Sequence, residues 1–187
     1  MPGELAPDAS AREKDPRALA REVCLRLLTL APRTRAQLAD ALRKRGIPDD
    51  AADDVLGRFA DVGLIDDAAF ARAWVESRHH GRGLSGRALT TELRRRGVAD
   101  EEIQDAVAEL GPDAEVAAAR SLVERKLAST RGHPPEVRTR RLAGMLARKG
   151  YPAGLAFRVI REALESEGDL AFPEDEPPFD EDDSDTE

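Results

Sequence analysis

The pentapeptide Arg43-Lys44-Arg45-Gly46-Ile47 recurs as Arg94-Arg95-Arg96-Gly97-Val98, and in shorter form as Arg148-Lys149-Gly150-Tyr151. The three glycines stand 51 and then 53 residues apart. Each copy closes a leucine-containing stretch of helical periodicity, and another such stretch follows. A period of this size predicts a stack of similar helical units rather than one irregular fold. Such a stack presents one surface several times along its length, so binding comes before catalysis among the function classes to consider.

Local signals within each period point to three helices. Leu19, Val23, Leu27 and Leu30 form an apolar stripe over residues 17–30, and Pro32 stops it. Thr34-Arg35-Ala36-Gln37 matches a capping box, in which hydroxyl and amide side chains satisfy backbone donors at a helix start. Leu38 and Leu42 share the inner face of that second helix, and Gly46 ends it as a left-handed cap. Pro48 suits the opening of a third helix, where its missing N–H costs nothing, with Ala52, Val55, Leu56 and Phe59 at helical spacing.

The second period opens at Asp66-Asp67, acids that suit a helix N-terminus. It places Phe70, Ala73 and Trp74 inward and breaks at residues 79–83. It resumes at a Ser85 cap with Leu89 and Leu93 inward, then Ile103, Val107 and Leu110. The third carries Val116, Ala119, Val123 and Leu127, a connection over 132–135, then Leu142, Met145 and Leu146, then Leu155, Val159 and Ile160. Hydrophobic residues make up 41% and aromatics only 4%, so the core must be built mainly from Ala, Leu and Val, which suits packed helices. No alternating β pattern of useful length appears.

The expected fold is therefore all-α: tandem three-helix repeats, about nine helices, in an elongated array whose curvature is left open. The units span 17–65, 66–112 and 113–165, between a disordered arm at 1–16 and an acidic disordered tail at 166–187.

Charge is unevenly spread. The formal net charge of −8 divides into −2 over residues 1–16, +5 over 17–165 and −11 over 166–187. The repeats are thus mildly basic, and positive charge raises encounter rates with polyanions in a salt-sensitive way. The single cysteine, Cys24, excludes an internal disulfide, and its apolar neighbours make it a structural thiol. No secretory signal and no run near the ~18 apolar residues of a membrane span is visible, so a cytoplasmic protein without a membrane partner is expected.

No constellation for chemistry emerges. His79, His80 and His133 lack the spacing of a metal-binding helix. Gly81-Arg82-Gly83 lacks the later glycine and preceding strand of a phosphate loop. No catalytic residue, cofactor or metal site is assigned. The basic clusters admit two readings. One or two cations at a helix C-terminus offset exposed carbonyls. Three consecutive bases fan out around the helix, so some must face solvent or a partner. The candidates are Arg43, Lys44, Arg45, Arg78, Arg82, Arg87, Arg94, Arg95, Arg96, Arg148 and Lys149, with Arg138, Arg140 and Arg141 forming a similar cluster in the third unit. Aromatics are too sparse for a base-stacking platform, so any nucleic-acid contact would be to backbone phosphates and weakly sequence-dependent.

Ordered along the chain, Leu25-Arg26-Leu27-Leu28, Thr34-Arg35-Ala36-Gln37-Leu38 and Leu42-Arg43-Lys44-Arg45-Gly46 are followed by Gly63-Leu64-Ile65-Asp66-Asp67-Ala68-Ala69-Phe70-Ala71, Ser85-Gly86-Arg87-Ala88-Leu89 and Glu92-Leu93-Arg94-Arg95-Arg96-Gly97-Val98. In order and approximate spacing these resemble the RecX family of recombination regulators, over residues 17–165 and most strongly over 24–107. The acidic tail departs from the family pattern. The resemblance implies an all-helical repeat protein that binds the RecA recombinase and its filament on single-stranded DNA. It would modulate, mostly inhibit, RecA's ATPase, strand-exchange and coprotease activities without catalysing a reaction, with possible weak, sequence-independent DNA contact. It does not divide the basic residues between RecA and DNA. Two alternatives stand beside it: a winged-helix transcription regulator built on 34–65, which needs two strands after Ile65, and a helical scaffold for another protein.

Overall fold

The computed structural model describes residues 15–168; the expectations for residues 1–14 and 169–187 lie outside it. The described residues form nine α-helices and one 3-10 turn, with no strand. Helix α1 spans Pro16–Leu30, α2 Arg35–Arg43 and α3 Asp49–Asp61. Helix α4 spans Asp67–Arg82, α5 Gly86–Arg94 and α6 Asp100–Ala108. Helix α7 spans Gly111–Leu127, α8 Pro135–Arg148 and α9 Ala153–Ser166, with the 3-10 turn at Ala128–Thr130. The helix pairs that pack most extensively all lie within one trio. Each trio closes its own core: Leu38, Leu42, Val55 and Leu56 in the first, Leu89, Leu93 and Ile103 in the second, Leu142, Leu146, Val159 and Ile160 in the third. The residues after Ile65 enter α4, which overturns the winged-helix reading.

Capping chemistry sets most boundaries. Thr34 and Gln37 complete the expected capping box, and the Ser85 hydroxyl accepts from the Ala88 N–H. Gly46, Gly97 and Gly150 all adopt positive φ, at 71°, 77° and 87°, where a side chain would crowd the following carbonyl. Cys24 is fully buried in the first core.

Several positions differ from the sequence expectation. Helix α1 begins at Pro16, behind an Asp15 side chain that accepts from the Arg17 N–H. Its inner face is Ala20, Val23 and Cys24, while Leu30 is 74% exposed. Pro48 is the N-cap of α3 rather than its first helical residue. The expected break at 79–83 is continuous helix, because His79 is buried and its Nδ1–H donates to the Leu84 carbonyl at 2.9 Å. The helix stops only at left-handed Gly83. The inner face of α4 is Ala71, Val75 and His79, so Ala73 is exposed and Phe70 and Trp74 are only half-buried. At the other end, Glu167 belongs to the fold: its carboxylate pairs with Arg131 and with the buried Arg138.

The trios are joined by two junctions of the same design. At the first, the Thr34 hydroxyl donates to the Arg96 carbonyl at 2.6 Å and the Arg35 N–H donates to the Asp67 carboxylate at 2.9 Å. At the second, the Ser85 N–H donates to the Lys149 carbonyl at 3.0 Å and the Gly86 N–H donates to the Glu115 carboxylate. In both, an acid from the first helix of the later trio caps the second helix of the earlier one. The glycine loop of the later trio lies on that same helix start. A Cβ on Gly97 would fall 2.3 Å from the Ala36 Cβ, and one on Gly150 2.6 Å from the Ser85 Oγ. Nothing lies within 4 Å of the corresponding Cβ at Gly46, which has no trio before it.

Candidate functional site

The candidate cations divide by what they touch. At the end of α2, Arg43 and Lys44 both reach Asp40, at 3.6 and 2.7 Å, and the Lys44 hydrogen bond holds Asp40 below its usual carboxylate value. Arg45 donates to the Ala41 carbonyl at 2.9 Å, which satisfies a helix end. Arg94 pairs with Asp100 at 2.7 Å, and Lys149 donates to the Arg82 carbonyl across the second junction. These five have local structural roles, as cations at helix ends and joints do. Arg82, Arg87, Arg95 and Arg148 are exposed. They form no ion pair among the described residues, so their charge faces outward.

Arg78 and Arg96 form a third class. Both lie against Trp74: the guanidinium carbon of Arg78 is 4.2 Å from the ring centroid and that of Arg96 is 3.6 Å. Phe70 stacks on the same indole at 5.7 Å and 14°, and the Trp74 Nε1–H donates to the Glu92 carboxylate at 2.8 Å. Trp74 and Arg78 share a helical face four residues apart on α4. Arg96 arrives from the glycine loop, whose carbonyl Thr34 holds. Burial lowers the Arg96 pKa from its ordinary value; Arg78 and Arg33 push the same way, and Glu92 opposes them. The Arg33 Nε is shut off from solvent and has no hydrogen-bond partner among the described residues.

The sequence reading missed three of these participants. Arg33 was visible only as a base just before a cap. Asp67 and Glu115 act on helix starts 32 and 29 residues earlier in the chain, a separation that no local pattern records. Burial raises the Asp67 pKa, against the lowering effects of the Arg35 N–H and its charge, and Asp66 raises it further. Among the described residues no group of three or more His, Cys, Asp or Glu could hold a metal ion, and no helix is long and apolar enough to cross a membrane.

Three trios with self-contained cores, joined by repeated junctions and carrying outward-facing arginines, define a tandem helical-repeat protein. Known proteins give the same class a narrower identity. Residues 20–59, 66–107 and 113–160 match, in order, the first, second and third three-helix domains of RecX. The regulatory protein RecX of Thermobifida fusca is 60% identical over 91% of this chain and 92% of its own length. That of Streptomyces lividans is 62% identical over 83% of each, and that of Mycolicibacterium smegmatis 50% over 88% of each. The crystal structure of RecX from Lactobacillus salivarius superposes with a TM-score of 0.73 at 20% identity, over 79% of this chain and 96% of that one, and shows the shared fold. The chain belongs to the RecX family.

Proposed function

We propose that this chain is a non-enzymatic regulator that binds RecA and its filament on single-stranded DNA and lowers recombinase, ATPase and coprotease activity. The observation that carries this reading is membership of the RecX family along all three trios, whose named relatives are regulatory proteins. The outward-facing Arg82, Arg87, Arg95 and Arg148 support it. Exposed and without an ion pair among the described residues, they are the cations best able to meet acidic protein surface or DNA phosphates. Arg43, Lys44, Arg45, Arg94 and Lys149, engaged in helix ends, ion pairs and a junction, take a lesser part. Several moderate contacts, repeated along a periodic partner, add through effective concentration.

Co-sedimentation tests the binding step. The full chain is expected to pellet with RecA assembled on single-stranded DNA. Arg82→Gln combined with Arg87→Gln should reduce the pelleted fraction more than Arg43→Gln does. A chain that stays in the supernatant at low salt, with RecA filaments intact, would remove the reading.

A further inference from the structure

The first junction holds a cationic cluster that its nearby carboxylate, Glu92, offsets only in part. Arg78 and Arg96 meet on Trp74 at the first junction, and Arg33 lies near enough for its charge to act on Arg96, yet none of the three forms an ion pair among the described residues. Several cations elsewhere do: Arg17 with Asp54, Arg94 with Asp100, Arg120 with Glu162, Arg131 with Glu167. The one acid at the cluster, Glu92, is already hydrogen-bonded to the indole N–H. Packing like charges together costs energy unless something offsets it. The ring offsets part of that cost, because its π-face attracts a cation.

A guanidinium laid against an aromatic ring keeps its in-plane N–H groups free. Those N–H groups match the paired oxygens of a phosphate, and stacking fixes the fork in advance. The backbone on either side is also fixed. Thr34 holds the Arg96 carbonyl, and Arg78 sits within the ordered length of α4. Arg95, the next residue along, is exposed and without an ion pair, so a ligand seated at Arg96 can continue onto it. A chain of evenly spaced phosphates suits that continuation better than a single carboxylate does.

We infer that Arg78 and Arg96, stacked on Trp74 and joined by Arg33 at the seam between the first two trios, form a phosphate-binding site that takes the backbone of single-stranded nucleic acid. This deepens the DNA-contact part of the proposed function. It assigns that contact to one seam, whereas RecA contact is not needed for it.

Trp74 is the only tryptophan in the chain, so its emission reports on the site directly. The experiment titrates the full chain, without RecA, with a single-stranded thymidine oligonucleotide at several salt concentrations. A dye-labelled copy of the oligonucleotide gives binding independently by anisotropy. The expected result is a saturable change in Trp74 emission whose midpoint follows the anisotropy. Arg96→Gln and Arg78→Gln should each lower the slope of log affinity against log salt by about 0.7, the value for one contact to a single strand. Between 50 and 200 mM salt, that makes the variants lose about 2.6-fold less affinity than the parent. Arg96→Lys, which keeps the charge and is the milder change to the fold, should bind more weakly than the parent and more tightly than Arg96→Gln. Arg120→Gln in the third trio should match the parent.

Three results would overturn the assignment: no binding at low salt, binding by anisotropy with silent tryptophan emission, or a parental salt slope in both glutamine variants whose helicity is intact. Equal emission changes with an acidic peptide, at equal affinity, would move the ligand from nucleic acid to protein. Because RecA is absent, failure here leaves the co-sedimentation result standing, and the reverse also holds.

Discussion

Gly46, Gly97 and Gly150 share a left-handed backbone but not a neighbourhood. For Gly46 only the backbone demands glycine, and alanine there should cost about 1–2 kcal/mol. At Gly97 the same strain is joined by a Cβ clash with Ala36, and overpacking of that kind adds about 1–3 kcal/mol. Thermal denaturation should therefore show a larger loss for Gly97→Ala than for Gly46→Ala; equal losses would mean the junction is looser than described. Trp74 illustrates how a residue's chemistry can mislead. Its size marks it for a core, and full burial would make Trp74→Ala cost about 3–5 kcal/mol. Half-buried against two arginines, it should cost roughly 2 kcal/mol in a chemical denaturation curve. The inner face of α4 instead follows the smaller Ala71, Val75 and His79, because that trio must admit α5 and α6 closely.

At the scale of the helices, what depends on near neighbours was legible and what depends on distant ones was not. The Thr34 capping box, the Ser85 cap and the left-handed glycines are each set within four or five residues; the first two periods announced the hydroxyl caps and all three the glycines. The junctions are set by pairs such as Arg35 with Asp67 and Gly86 with Glu115, which lie about half a period apart or more. From sequence alone, Asp67 reads as a second cap for its own helix; in the fold Asp66 fills that role at 2.7 Å from the Ala69 N–H, and Asp67 serves α2. The ion pairs of the basic loops are an exception: Asp40 stands three and four residues from Arg43 and Lys44, and Asp100 six from Arg94, so these partners lay within local reach. Glu115→Ala should remove a cap worth about 1 kcal/mol and raise amide exchange at Gly86, while Gly111 at the start of α7 stays unchanged. At the same junction the Tyr151 hydroxyl donates to the Gly83 carbonyl at 3.2 Å, and burial, with a smaller contribution from Glu115, pushes its pKa up to about 12. A raised tyrosine pKa favours the folded state while the ring stays neutral. That contribution is whole below the ordinary value near 10 and is lost as pH rises to about 12. It is the only tyrosine, so phenolate absorbance reads it directly. Titration at the ordinary value in the folded chain would contradict the junction, and Tyr151→Phe should flatten the alkaline loss of stability.

Over the whole molecule, the repeat explains why the trios stack and how the third differs from the first two. The second helix of each of the first two trios begins with a hydroxyl residue, Thr34 or Ser85, that receives the loop of the next. The third begins at Pro134-Pro135, which has neither hydroxyl nor N–H to offer another unit. The last trio is closed on its other flank by Arg131 and Arg138 on Glu167. End units of a repeat array commonly differ from the interior in this way. Among the described residues, the exposed arginines that form no ion pair face outward along the array, a form suited to lying along a periodic partner. If this array restrains RecA as proposed, the steady-state ATPase rate of RecA on single-stranded DNA responds as the full chain is added. A saturable fall in rate is expected, one that high salt weakens and that Arg82→Gln with Arg87→Gln shifts to higher protein concentration. A rate unchanged at every concentration and salt would contradict it.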